Sequence, residues 1–465
     1  MDLIIKNGTI VTAKSTYKAD IAVKGGKITA IGTDLKADGA KIVDATGKLV
    51  LPGAIDGHTH LAMPFGGTIS TDDYYAGTRS AACGGTTTVF DFVIQQIGEP
   101  MLDAIKRRNA LASPDAAVDY SFHIGVADVS GDLINTMQDA VDFGVPSFKV
   151  FMVYDFGVDD GSFYQVLQKG AEIGALVGVH AENRDVNNLL VKQFLEEGKT
   201  DAWWHYVSKN EEVEGEADVR AINLAKMAGT SLYIVHLANK QGVEAVRQAR
   251  DEGYPIFAET CPQYLNFTSD VYKLERARDY VCSPPMKGQE SQDAIWDAIN
   301  TGDISTIATD HCPFTQAEKD WGITKKDGTP GNFTTIPNGC PGIENMYPYM
   351  LSEANKGRIS FNKAIELCAT NPARLFGLED QKGALEVGLD ADIVLYDKDK
   401  DFTITNEGMH GDTDHTIWEG AKLKGYPVAT YSRGNLVFKD GKFVGKKGDG
   451  KFVKCHTVKF EHPEF

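Results

Sequence analysis

The sequence predicts an α/β protein: a (β/α)8 TIM barrel carrying a small β-sandwich formed from both chain ends. Three observations predict it. Between about Ala54 and Phe376, eight apolar strand-like runs alternate with helical segments, the count of such a barrel. Short alternating strands with turn signals occupy both termini, and the middle of the chain has a different texture. No glycine-rich phosphate fingerprint follows the first long strand, which counts against a doubly wound open sheet.

At the amino end, Leu3-Ile-Ile-Lys-Asn-Gly, the run from Asp20 to Gly32, and Lys41-Ile-Val-Asp-Ala-Thr-Gly are half-apolar stretches broken by Asn-Gly and Gly-Gly, which are hairpin signals. The same pattern returns at Ala391–Asp397 and Tyr431–Val444. Residues 1–53 and 377–465 are therefore expected to share one β-sandwich and tail, with 54–376 forming the barrel. The barrel strands are expected to end near His60 and to cover Thr86–Phe92, Asp119–Val126, Ser147–Phe151, Leu176–His180, Ser231–His236, Ile256–Cys261 and Ser305–Asp310. Helices are expected between them, at Asp132–Asp142, Phe163–Ile173, Glu216–Ala228 and Val243–Glu252 among others.

The 465 residues suffice for one large domain and a smaller one, and a formal net charge of -18 excludes neither a core nor solubility. That charge does argue against nucleic acid or an anionic membrane surface as partner, because both are bound through an excess of Lys and Arg. The start Met1-Asp2-Leu3-Ile4-Ile5-Lys6 has neither the basic onset nor the apolar core of a signal peptide, and no stretch is apolar enough to span a bilayer. A cytoplasmic location is expected. The seven cysteines are scattered, odd in number and form no Cys-x-x-Cys pair, as reduced thiols would.

The chemistry is concentrated in Asp56-Gly57-His58-Thr59-His60, which closes the apolar run beginning at Leu49. Two histidines two positions apart on an extended segment project to the same side and can reach one ion. In barrels of this type active sites lie at the carboxyl ends of the strands. There the sequence places His58, His60, Lys149, His180, His236 and Asp310. Each alone has an ordinary explanation, a hydrogen-bonded core histidine or an aspartate capping the next helix. Together, four imidazoles and a carboxylate suit a divalent transition metal, and zinc is expected. One ion closes its shell with about four or five ligands, so six candidates point to two ions. Lys149 needs a chemical reason to be there, because an ammonium with a reference pKa of about 10.4 repels cations.

These residues, in the contexts Ser147-Phe-Lys149-Val-Phe-Met, Val179-His180-Ala-Glu-Asn and Thr309-Asp310-His-Cys-Pro-Phe, resemble the dihydropyrimidinase and hydantoinase branch of the cyclic amidohydrolases. The resemblance continues through Met63-Pro-Phe-Gly-Gly-Thr, Gly84-Gly-Thr-Thr-Thr, Cys282-Ser-Pro-Pro-Met, Ile336-Pro-Asn-Gly, Asn371-Pro-Ala-Arg and Gly448-Asp-Gly-Lys, and so spans essentially the whole chain. It implies a lysine carboxylated on its amine, whose anionic carbamate bridges two zinc ions. One ion falls to His58, His60 and Asp310 and the other to His180 and His236, with Lys149 joining them and a hydroxide between. It further implies that Asp310 passes the proton of the attacking water to the leaving nitrogen and that the Tyr154 hydroxyl donates to the oxyanion. Backbone groups at Ser283 and Asn338 would hold the ureide. A packing tyrosine and an ordinary loop residue are the plainer readings of Tyr154 and Ser283.

The implied reaction opens 5,6-dihydrouracil or a 5-substituted hydantoin to an N-carbamoyl amino acid. The metal ligands do not choose the ring. Dihydroorotate is disfavoured, since Ala62 stands where dihydroorotase-like members carry a carboxylate-binding arginine. An allantoinase-like activity and a non-catalytic assembly protein are the alternatives, the latter at odds with retention of all six metal residues. The resemblance also implies a homotetramer, to which Gly441–Phe465 would contribute.

Met63, Phe65, Phe151 and Phe156 are candidate walls for an apolar substituent. Departures from the family pattern are Arg184 in place of glycine, Asp155-Phe156 after the tyrosine, and Lys209-Asn210-Glu211 in place of Arg-Pro-Pro. Either they are loop drift, or Arg184 approaches the pocket and admits an anionic substituent. Glu182 and Asn183 are expected to orient His180. The segment from Phe314 to Asn338 is expected to be a lid over the mouth. His123, His311 and Cys312 are assigned to packing or support, with Cys261, Cys282 and Cys312 near the mouth. His205, His410, His415, His456 and His462 are expected to be solvated.

Overall fold

The computed structural model describes residues 1–36 and 38–464. Phe465, the last residue of the proposed assembly segment, lies outside them. Eight parallel strands follow one another in chain order: Ala54–Thr59, Thr86–Ile94, Asp119–Val126, Ser147–Phe151, Leu176–His180, Leu232–Ile234, Ile256–Thr260 and Thr306–Ile307. The ring closes where Thr59 bridges His311 in parallel and the His60 N–H donates to the His311 carbonyl at 2.9 Å. Helices cover the outside, so almost every strand residue is buried on both faces, as an apolar parallel strand requires.

The last strand has two residues where six were expected. Asp310 at φ +51° turns the chain out of the ladder, although Ala308 N–H still reaches the Thr260 carbonyl at 3.2 Å. Helix starts follow side-chain caps that the apolar periodicity does not report. The expected Glu216–Ala228 helix begins at Glu211, because the Asn210 side chain accepts from Val213 N–H. Phe163–Ile173 begins at Asp160 behind the cap Asp159. Such a cap contributes about 1 kcal/mol.

The apolar run from Leu49 serves two sheets. Leu49–Pro52 pairs antiparallel with Ile393–Asp397 and parallel with Thr9–Val11, while Ala54 onward enters the barrel. Gly53 makes the crossing, where a Cβ would sit 2.2 Å from Thr87 Oγ1. A seven-stranded sheet runs from Lys442–Phe443 through Tyr426–Ser432, Ile393–Asp397 and Leu49–Pro52 to Thr16–Lys18. A four-stranded sheet of Lys27–Gly32, Asp20–Lys24, Leu3–Lys6 and Lys41–Asp44 faces it. Leu3, Ile5, Ile10, Ile21, Val50, Ile393 and Tyr431 form part of their shared core.

Lys382 fastens these sheets to the barrel. Its buried ammonium lies 2.8 Å from Asp119 at the start of the third barrel strand, 3.0 Å from Asp390 and 2.8 Å from Asp392. Burial opposes the charge, but Asp392, Asp119 and Asp390 hold the amine protonated far above the usual lysine range. Replacing one member of such a cluster strands its partners, which typically costs about 3–5 kcal/mol. Lys382→Met is expected to lose that much in urea unfolding, and a loss below about 1 kcal/mol would contradict the role.

Candidate metal centre

His58 lies in the first barrel strand and His60 one residue beyond it, and both rings turn to the mouth. His58 Nδ1 is 2.7 Å from Glu259 Oε1, so the carboxylate fixes the ring with the Nε2 lone pair facing inward. Glu259, on the seventh strand, is itself held by the Tyr233 hydroxyl at 2.6 Å and the His236 N–H at 3.0 Å. Asp310 Oδ1 sits 3.0 Å from His60 Nε2 and 3.3 Å from His58 Nε2.

Across the mouth, His180 Nε2 is 2.6 Å from Glu182 Oε2, which leaves Nδ1 as the inward lone pair, 3.0 Å from His236 Nε2. The His58 and His236 rings, 5.3 Å apart, join the two groups. Lys149 lies between them, buried, with Nζ 2.9 Å from His58 Nε2 and 4.4 and 4.8 Å from the Phe92 and Phe151 ring centres. Among the described residues no carboxylate oxygen lies within 4.0 Å of that amine.

Burial drives His58 and His236 well below the ordinary imidazole range and lowers His180, which keeps these rings in the neutral, ligand-competent form. Asp310 is held down to about 2; burial opposes its charge, and His58, His60 and Lys149 supply it. Burial lowers Lys149 to about 8. Ligand atoms on one zinc, with Zn–N of about 2.0–2.1 Å, stand roughly 3.3 Å apart in a tetrahedron. The spacing of His58, His60 and Asp310, whose ligand atoms lie within 4.8 Å of one another, fits an ion, as does the His180–His236 pair.

His60, Lys149, His180, His236 and Asp310 line one cavity together with Tyr154, Ser283 and Asn338, and His58, outside that lining, contacts it through Lys149 at 2.9 Å. Met63, Phe65, Phe151, Phe156 and Cys312 supply its apolar wall. Tyr154 stacks on Phe156 at 5.4 Å and meets Phe65 edge-on at 5.4 Å. Three residues here, Tyr154 (φ +70°), His236 (φ +42°) and Asp310 (φ +51°), adopt left-handed backbone that costs about 1–3 kcal/mol in a non-glycine residue. Surrounding bonds such as Glu259 to the His236 N–H hold that strain in place.

Several expectations need correction. Arg184 is not part of the cavity lining; its guanidinium donates to the Gly157 carbonyl at 3.0 Å, in the loop that carries Tyr154 and Phe156. The Phe314–Asn338 segment is a folded wall, with a helix at Gln316–Lys319, 3-10 turns at Asp320–Gly322 and Phe333–Thr335, and buried Lys319, Phe333 and Ile336. His205 is buried with Nε2 2.7 Å from the Cys282 carbonyl, His415 is buried, and His410 Nδ1 lies 2.8 Å from Glu344 near Cys83. His456 and His462 are exposed, as expected. His123 bonds Ser147 and the Gly57 carbonyl, and His311 bonds Asp72.

Sequence reasoning missed Glu259, whose signal was a carboxylate inside an otherwise apolar strand. It marked Lys209 as a departure from the family pattern but not its contact: the ammonium reaches Glu182 Oε2 at 2.8 Å beside the Ser283 hydroxyl at 2.9 Å.

The amidohydrolase family model matches residues 49–437, and with this barrel and donor set the chain belongs to that family. Within it, the chain stands in the group of dihydropyrimidinases and D-hydantoinases. It is 43% identical over 462 residues to a D-hydantoinase of Geobacillus stearothermophilus, covering 98% of this chain and 96% of that protein. The crystal structure of the dihydropyrimidinase from Brevibacillus agri NCHU1002 superposes with a TM-score of 0.96 at 40% identity, over 99% of this chain and 100% of that one. The L-hydantoinase (dihydropyrimidinase) of Arthrobacter aurescens gives 0.87 at 32% identity, over 97% and 99%. No helix among the described residues is long and apolar enough to cross a membrane.

Proposed function

We propose that the protein hydrolyses the cyclic amide bond of 5,6-dihydrouracil or 5-substituted hydantoins, giving N-carbamoyl amino acids, with two zinc ions held by His58, His60, Asp310, His180, His236 and a carboxylated Lys149. The observation that carries this reading is Lys149 itself. A buried amine 2.9 Å from a ligand nitrogen, with no carboxylate partner among the described residues, is out of place as an ammonium. As a carbamate, formed when the neutral amine adds carbon dioxide and releases one proton, it becomes an anion with two oxygens for the ions. When bound, such ions lower the pKa of a coordinated water from 15.7 to about 7 and polarise the scissile carbonyl.

The chain's own residues do the rest. Asp310 takes the proton of the attacking water and gives it to the departing ring nitrogen, which is otherwise a poor leaving group. Ser283 and Asn338 hold the ureide from the far wall, and Met63, Phe65, Phe151 and Phe156 enclose the ring substituent. This apolar wall favours the hydantoin and dihydropyrimidine reading over allantoin, whose substituent is a polar ureide. Zinc-loaded protein is expected to release N-carbamoyl products from dihydrouracil or a hydantoin, detected chromatographically. Failure with both would overturn the reading.

Tyr154 projects into the same cavity, and its hydroxyl stays protonated: burial, then Glu182, pushes it well above the usual tyrosine range. A protonated hydroxyl there can donate to the oxyanion. Tyr154→Phe is expected to lower kcat about 10²–10³-fold at unchanged zinc content; a change within about threefold would remove the role.

A further inference from the structure

Lys319 belongs to no part of the metal centre, yet it is fully buried. It ends the short helix Gln316–Lys319, which Thr315 and Glu318 open with a capping box. Its ammonium donates to three main-chain carbonyls: Val281 at 2.9 Å, Pro337 at 2.8 Å and Gly339 at 2.7 Å. Among the described residues no carboxylate oxygen lies within 4.0 Å of it. A buried cation held by three neutral carbonyls and, at 5.7 Å, the Phe314 ring is costly, since no carboxylate in contact repays its desolvation. A methionine of similar length could fill the same volume, so packing alone does not explain the charge.

The three carbonyls have one thing in common. Val281 stands two residues before Ser283, and Pro337 and Gly339 flank Asn338. The Gly339 N–H also donates to the Val281 carbonyl at 2.9 Å, so the two loops are tied once directly and again through the ammonium. The Pro337 carbonyl, turned toward Lys319, fixes the peptide group before Asn338, and the Gly339 N–H, held by the Val281 carbonyl, fixes the one after it, at the edge of the cavity that Asn338 and Gly339 line. The same helix reaches the opposite wall, where the Thr68 hydroxyl donates to Glu318 in the hairpin that carries Phe65.

We propose that Lys319 is a positioning residue that sets the Ser283 and Asn338 main-chain groups against the ureide of the substrate. The inference rests on the cyclic-ureide reading given above. Groups that hold the ring before and during the reaction contribute uniform binding, so their displacement raises KM more than it lowers kcat. Charge-assisted hydrogen bonds of this kind are strong enough that their loss corresponds to about a tenfold change or more.

The test uses full-length, zinc-loaded protein and whichever of dihydrouracil or hydantoin the wild type opens. Lys319→Met is expected to raise KM about tenfold or more while zinc per chain is unchanged and kcat falls less than about threefold. Lys319→Gln, which keeps two N–H donors without the charge, is expected to fall between. Unchanged KM in folded, zinc-loaded Lys319→Met overturns the inference, as does loss of zinc and kcat together at constant KM, the mark of a merely structural residue. Should Lys319→Met not fold, Lys319→Gln decides by the same criterion. A wild type that opens no cyclic ureide overturns the functional reading, and this inference falls with it; the other failures overturn the inference alone.

Discussion

Lys149→Ala is expected to bind less zinc and to lose at least about 10³-fold in kcat/KM. An ion at such a centre supplies several kcal/mol of transition-state stabilisation, and 1.36 kcal/mol is a factor of ten in rate. The alanine removes the amine that stands 2.9 Å from His58 Nε2 in the cavity shared with the His180–His236 pair. It also leaves a void that a small carboxylate could enter. Propionate added with zinc is therefore expected to restore part of the activity, because it offers two anionic oxygens where the carbamate would have stood. The measurements are zinc per chain by atomic absorption and ring opening with and without propionate. Full turnover by Lys149→Ala would overturn the carbamate reading.

Asp310→Asn is the second large effect. The carboxylate lies within 3.3 Å of both His58 and His60, and held down to about 2 it is an acceptor throughout the neutral range. An amide has nearly the same shape but cannot take up a proton. General acid–base catalysis is worth about 10²–10⁴-fold, and kcat is expected to fall by that amount even in protein reloaded with zinc. Activity within tenfold of wild type at matched zinc content would reassign the proton transfer.

Much of this was legible in the sequence because strand and site share one signal. A barrel strand is an apolar run, and a functional residue is the polar residue at its end, so His180 and His236 stood out against Leu176–Val179 and Leu232–Val235. The His58-x-His60 pair was readable for the same reason, and the fold followed from counting the runs. What stayed hidden depends on contacts between distant segments. Nothing around Glu259 in the chain says that it will meet His58, two hundred residues earlier. His205 looked like a surface histidine, but it is buried by Cys282. The order of the segment after Phe314 comes from Lys319 and from caps, neither of which has a hydrophobic period. Arg184 was noticed for its unusual identity, and only the fold shows that its head group turns to the Gly157 carbonyl.

The terminal sheets have a consequence for biosynthesis. Leu49–Pro52 is flanked by Thr9–Val11, made just before it, and by Ile393–Asp397, which emerges several hundred residues later. At about 5–20 residues per second, one ladder edge of this early strand waits on the order of tens of seconds for its partner. Until then the nascent chain carries an open apolar border next to a nearly finished barrel. Ribosome-bound intermediates are therefore the stage at which this protein is most exposed to aggregation, and its last strands act as the latch that ends that exposure.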